Sequence, residues 1–446
     1  MKTIIRFLLL LVIGISCSKK DKENLMTISG ELQELKSQSI QIEINDSIFR
    51  SDVDENGKFQ IDIPLKNTQY VYAKGLDRKL FLLPNDSLKV EKEDDKYVFH
   101  GGQSALINNY YTYWKKYLYA VADTSDSDAY YNQEPEDFLN SNAKWIEIWR
   151  KPLNELKKQN PDLNEKFIDF ETARLKYWMY GDLNDYKSSH SEIPDTFYQY
   201  LDEVNLNDLN LMQLDEYRYF LTSYVFMKVR RLEIKDKINA TSKMLDIIEE
   251  SFHQEPIRNN VSKEIIRLQT SRLSVNDSIL ERFSTICTNK DYINKIEKNY
   301  KQLQPLLKGN AAPDFELLGL SGNKVTLNHF KGKYLLIDVW STTCAPCFRE
   351  FPILEDLKHE LKGKDIEIIA ACLSDESAWK KSLTKHNLKG GQYRIENGWK
   401  SKFRNDYIKS SGVPIYILID PNGIIIDARA PKPSENLKEL INSIFI

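Results

Sequence analysis

Two cysteines three positions apart, in the run Cys344-Ala345-Pro346-Cys347, are the residues of this chain best suited to chemistry. Thiols that close together can pass between a dithiol and a disulfide. The apolar run from Tyr334 to Val339 precedes them and a helical pattern follows, so Cys344 falls at a helix start. Unpaired N–H groups and the helix dipole favour an anion there. A thiol so placed should ionise below the free value of ~8.5 and act as the thiolate that attacks a disulfide. A permanent structural disulfide, or two inert core thiols, are the bland alternatives. Zinc fits poorly, because no second close cysteine pair exists and none of the six His has ligand spacing to this one. No metal and no cofactor is expected.

The elements that must hold this pair are legible around it. A linker, Gly309 to Phe315, opens a C-terminal segment with a turn at Ser321-Gly322-Asn323. A buried strand at Tyr334–Val339 leads through the cysteines into a helix ending near Leu361. A second buried strand covers Ile366–Leu373 and a helix covers Ser377–Lys385. Strands at Ile415–Ile419 and Ile424–Asp427 are joined through Asp420-Pro421-Asn422-Gly423, and a last helix runs from about Ser434 to Ile444. Alternating strands and helices closed by a hairpin predict a mixed sheet covered on both faces.

The preceding chain changes character twice. Ser39–Ile44 and Phe59–Ile63 alternate polar and apolar residues with period two, and Asp54-Glu55-Asn56-Gly57 carries a hairpin-turn signal. Tyr70–Ala73 and Leu80–Leu83 continue the pattern, so 26–103 is expected to be a small antiparallel β-domain. From 104 to 307 apolar residues recur at three- and four-residue spacings, as in Tyr110–Tyr119, Ala143–Leu156, Phe167–Tyr180 and Leu211–Arg231. This is expected to be an all-α region, with breaks at Pro152, Pro161, Pro194 and Pro256 and a loop from Asp123 to Glu136. Its many Tyr and Trp read as packing.

The N-terminus reads as an address. Lys2 and Arg6 precede the apolar run Phe7–Ile15, too short for the roughly 20 residues a membrane span needs. Gly14-Ile15-Ser16-Cys17 and the polar stretch after it resemble a bacterial lipoprotein signal. That resemblance implies a signal peptide over 1–17, lipidation of Cys17, a tether over 18–25, and a lipid anchor in a membrane. A plain secretory signal is the alternative. Ser18 fits placement on the periplasm-facing outer membrane, with the inner membrane as the other possibility. Outside the cytosol cysteines usually form structural disulfides. Only Cys287, Cys344, Cys347 and Cys372 follow Cys17, too few for a stapled scaffold, so the close pair reads as working chemistry. Cys287 and Cys372 lie in apolar contexts and read as buried thiols. A net charge of −3 in 446 residues, 28% of them charged, gives no sign of nucleic-acid binding.

Taken together, Leu336-Ile337-Asp338-Val339-Trp340-Ser341-Thr342-Thr343 with the cysteine pair resembles the thioredoxin active-site segment. Gly412-Val413-Pro414 resembles its cis-proline loop. Ala312-Pro313-Asp314-Phe315 and Phe348-Arg349-Glu350-Phe351-Pro352 resemble the TlpA/ResA branch. The match covers 308–446, and the three-part layout is similar to lipid-anchored, multi-domain thiol-disulfide oxidoreductases of Bacteroidota. The resemblance implies an α/β thioredoxin-like C-terminal domain in which Cys344 is the nucleophile and Cys347 resolves the mixed disulfide. Asp338, in an apolar strand, is costly to bury as a charge, so its pKa should rise and suit it to take the proton of Cys347. Glu350, one turn past Cys347, should tune the cysteines. Trp340, Val413 and Pro414 should form the substrate-binding surface, with Pro414 cis.

The function expected is extracytoplasmic protein-disulfide reduction or exchange. Its partners would be disulfide-containing extracytoplasmic proteins and a membrane thiol that delivers electrons, with no nucleic acid. A thiol peroxidase of peroxiredoxin type is the runner-up: Ser341 fits that pattern three residues before Cys344, but Ile337 stands where it needs proline. A binding lipoprotein with an accessory redox domain is the third reading.

Overall fold

The structure is a computed structural model that describes residues 24–445, except 36–37, 45–46, 95, 122–126, 187–191, 235 and 410. The signal segment and Cys17 lie outside the described residues. The chain forms two compact units, one ending at Ser223 and one starting at Tyr224.

The first unit opens with eight strands: β1 (Leu25–Glu31), β2 (Ser39–Ile44), β3 (Ser47–Asp52), β4 (Lys58–Pro64), β5 (Gln69–Lys74), β6 (Arg78–Leu82), β7 (Ser87–Glu93) and β8 (Lys96–Gly101). They make two four-stranded sheets, ordered β4-β1-β7-β8 and β3-β2-β5-β6. Alternate residues of both sheets enter one core, including Ile28, Ile61, Ile63 and Val90 from the first and Ile42, Val71, Leu80 and Leu82 from the second. The pairing is antiparallel except for β1 with β7, which is parallel. The Asp54–Gly57 turn joins β3 to β4, which belong to different sheets, so it passes the chain across the sandwich instead of closing a hairpin.

Helices follow: α1 (Gln103–Val121), α2 (Ser127–Tyr131), α3 (Pro135–Gln159), α4 (Glu165–Asp185) and α5 (Asp215–Arg230), the last crossing the boundary between units. Asn108 of α1 occupies both backbone groups of Phe81 on β6, accepting from its N–H at 3.0 Å and donating to its carbonyl at 2.8 Å. Within α4, buried Glu171 takes two 2.7 Å bonds from the Arg174 guanidinium and accepts from the hydroxyls of Tyr110 (2.8 Å) and Tyr111 (3.2 Å). The break expected at Pro152 does not occur. Proline inside a helix costs about 3 kcal/mol, and the burial of Pro152 and Leu153 offsets it.

The second unit continues with α6 (Lys237–Ser251), α7 (Glu255–Ser271), α8 (Asp277–Ile286) and α9 (Lys290–Leu303). Asp236, Asn276 and Asn289 cap three of these, each accepting from the backbone N–H three residues on. Then come β9 (Glu316–Leu318), β10 (Lys324–Thr326), β11 (Tyr334–Trp340), α10 (Ala345–Glu360), β12 (Ile366–Cys372), α11 (Glu376–Lys385), β13 (Gln392–Arg394), β14 (Ile415–Ile419), β15 (Ile425–Ala430) and α12 (Leu437–Ser443). The strands form one mixed seven-stranded sheet, ordered β10-β9-β13-β12-β11-β14-β15. β11 lies inside it, parallel to β12 and antiparallel to β14. Buried on both faces, β11 reads as a near-continuous apolar run. Leu335, Ile337 and Val339 enter the core on one face. Leu336 and Trp340 enter separate clusters on the other, with α10 residues in both. Asp338 lies on that second face, between them.

Candidate active site at the start of helix α10

The strand-to-helix turn after β11 is fixed from the neighbouring strand end. Leu373 N–H donates to the carbonyl of Trp340 at 2.9 Å, and Ser374 Oγ accepts from the Thr342 N–H at 2.9 Å. Cys344 is the N-cap of α10. Pro346 sits in the first turn, where its missing N–H would have had no helical partner. Cys344 and Cys347 are joined as a disulfide. The Cys347 backbone N–H donates to Sγ of Cys344 at 3.1 Å. Cys344 is 6% exposed and Cys347 fully buried, so any approach to the disulfide from outside comes at Cys344.

The loop before β14 faces this sulfur. The Val413 carbonyl oxygen lies 3.5 Å from Sγ of Cys344, and the Val413–Pro414 peptide is cis. Both residues are half-buried, beside an exposed Gly412. Arg429 of β15 anchors the approach to this loop, donating to the carbonyls of Tyr407 (2.8 Å) and Ser271 (3.0 Å), while Ser411 Oγ donates to Ser271 O at 3.3 Å. Sequence reasoning missed Arg429, because its partners lie up to 158 residues away.

Asp338 is completely buried, and among the described residues neither carboxylate oxygen has a hydrogen-bond partner of proper geometry. Burial pushes its pKa up to about 7; the Lys358 charge opposes that rise and the Glu350 charge adds to it. Tyr416 stands opposite Asp338 in the β11–β14 register. Its buried hydroxyl is near enough to favour the carboxylate slightly, without a well-formed bond. Glu350 is buried too, and accepts from Ser434 N–H at 2.9 Å and Ser434 Oγ at 2.7 Å. Its carboxylate is thus fixed by the turn before α12 and acts on Asp338 by charge.

Trp340 requires a correction. It is fully buried, edge-on to Phe351 at 5.2 Å between ring centres, so it packs under the disulfide and offers no contact surface to a substrate. Cys372, beside it in the register, and Cys287 in the helical region are both free and buried. Burial raises both thiols, Cys372 to about 11, which leaves them unreactive. Among the described residues, Glu91, Glu93 and His100 bring possible metal-ligating atoms within 4.8 Å of one another. They lie on one strand pair of the first unit, and His100 already pairs with Glu91 at 3.2 Å.

A mixed sheet with a disulfide capping the helix after an inner strand, opposed by a cis-proline loop, defines a thioredoxin-like redox protein. The Redoxin family model matches residues 307–442. The thiol-disulfide oxidoreductase ResA of Bacillus thuringiensis is 31% identical over 140 residues, which cover 30% of this chain and 78% of that protein. ResA of Oceanobacillus iheyensis is 33% identical over 122 residues, covering 26% and 62%. A crystal structure of the thioredoxin domain of a Bacteroides vulgatus thiol-disulfide oxidoreductase is 29% identical, with a TM-score of 0.29, covering 31% of this chain and 98% of that one. Through its C-terminal domain, the chain belongs to the ResA family of thiol-disulfide oxidoreductases.

Proposed function

We propose that the chain reduces or exchanges protein disulfides outside the cytoplasm, through a cycle between Cys344–Cys347 dithiol and disulfide. In the reduced form the Cys344 thiolate attacks one sulfur of a substrate disulfide. A mixed disulfide forms and the other substrate sulfur leaves as a thiolate. Asp338, ionised, takes the proton of Cys347. The Cys347 thiolate then attacks Sγ of Cys344, closing the protein disulfide and releasing the second substrate thiolate. Two electrons pass to the substrate, and a membrane thiol partner must return them. Val413 and the cis Pro414 supply the backbone surface beside the attacked bond.

The observation that carries this reading is the polarity of the pair. The cysteine with any exposure is the helix cap, and the Cys347 N–H already points at its sulfur. A donor aimed at that sulfur, with the helix dipole behind it, favours the thiolate on Cys344 rather than Cys347. Insulin reduction by the full chain, driven by a small dithiol, tests it. Cys344→Ser should abolish turnover, and Cys347→Ala should trap substrate on Cys344 as a stable mixed disulfide. Turnover that survives Cys344→Ser would refute the cycle. Lipidation at Cys17 and residence on the periplasmic face of the outer membrane complete the proposal. Fatty-acid labelling lost in Cys17→Ala would support the anchor, and unchanged labelling would refute it.

A further inference from the structure

Asp338 belongs to a row of three residues across the sheet. Ala370 faces it from β12 and Tyr416 from β14. Directly opposed residues on one face of a strand pair hold their Cβ atoms about 5 Å apart. Ala370 brings no polar atom. Tyr416 brings a hydroxyl that is itself buried and, among the described residues, lacks a hydrogen-bond partner of proper geometry. Two buried polar groups without well-formed bonds are a costly arrangement unless they serve each other in some state of the cycle. Among the described residues, the charged groups that act on Asp338 are Glu350 and Lys358 of α10, and Glu435, in the turn before α12, acts on Tyr416. Cys347 of α10 and Cys372 of β12 pack together in the cluster that holds Trp340. Glu350 is already occupied by Ser434 and Lys358 by Glu355.

We propose that Tyr416 is a positioning residue for proton transfer at Asp338: its hydroxyl donates to the carboxylate when Asp338 is ionised, and so holds it ready to receive the Cys347 proton. This rests on the disulfide-exchange cycle above and assigns Tyr416 a role within it. Donation to the charged form favours that form. Once the proton of Cys347 arrives, Asp338 becomes a neutral acid, the Tyr416 bond weakens, and Tyr416 keeps its own proton throughout. Burial, with the Asp338 and Glu350 charges, holds the tyrosine far too weak an acid to be the base itself.

The test is Tyr416→Phe, which keeps the ring and removes only the hydroxyl. Resolution of a mixed disulfide between the protein and a small chromogenic thiol is followed against pH. A hydrogen bond to a charged group is worth about one pKa unit or more. The rising limb should therefore move up by about one pH unit, with about tenfold slower resolution below it. Site-specific 3-fluorotyrosine at 416, a stronger donor, should move the limb down. In an Asp338→Asn background the hydroxyl should make no further difference. Carboxyl carbon NMR of Asp338 in the oxidised protein reads the same shift without any turnover. Wild-type exchange with a pH profile and Asp338 titration unmoved by Tyr416→Phe would overturn the role of Tyr416. Absence of exchange by the wild type would instead overturn the parent cycle.

Discussion

Replacing Asp338 by Asn should make the C-terminal unit more stable at high pH while crippling its chemistry. Asp338 is fully buried and its pKa stands at about 7 against an ordinary 3.8. A folded pKa above the unfolded one means that the fold binds the proton more tightly. The stability linked to that proton is fully present below about pH 4 and is lost progressively as pH rises through about 7. At ~1.36 kcal/mol per unit, the total loss is about 4 kcal/mol. Asn carries no such penalty. Between about pH 5 and about pH 8.5 the variant should therefore gain about 2.7 kcal/mol on the wild type. The comparison is made on the oxidised full chain by urea titration with brief thiol labelling, scoring Cys372. That thiol is free, buried and on the strand beside Asp338, so it reports this unit. Turnover of the same variant should fall on the order of 10²-fold, the usual worth of a general base. A stability difference that stays flat from about pH 5 to about pH 8.5 would refute the reasoning, because Asp338 would then not be carrying an uncompensated buried charge.

Two further outcomes follow from neighbouring contacts. Glu350→Gln removes a negative charge that raises the Asp338 pKa, so the rising limb of mixed-disulfide resolution should move to lower pH; a shift to higher pH would contradict that placement. In the first unit, Arg174→Met strands buried Glu171 without its cation and should cost about 3–5 kcal/mol in urea unfolding, while Glu171→Leu with Arg174→Met together should recover much of it.

The C-terminal domain was readable because its signals are local. The Tyr334–Val339 run, the cysteine pair, the Asp420–Gly423 turn and Gly412-Val413-Pro414 each announce themselves within a few residues. β13 escaped notice because three residues, Gln392–Arg394, are too few to show a period. Residues 26–103 were read as strands from the period-two alternation of polar and apolar residues, but not as two sheets sharing a core. Which sheet a strand joins depends on partners such as β1 and β7, whose parallel pairing brings together residues 60 apart. The same limit applies at the site. Asp338 stood out as a carboxylate in an apolar strand, yet its opposition to Tyr416 needed the β11–β14 register. The Glu350–Ser434 bonds span 84 residues. Trp340 was misjudged because an aromatic beside a reactive cysteine reads the same whether it lies above the disulfide or beneath it.

The unequal cover on the two cysteines has a consequence for how the pair would meet a peroxide. A peroxide that reaches the reduced pair meets Cys344 first, and the sulfenic acid it leaves there has a thiol one helical turn away to condense with. The product is the same disulfide that the proposed cycle makes, so accidental oxidation would return the protein to that cycle and stop short of the irreversible acids. Cys347, walled off, is spared capping by bulky thiols.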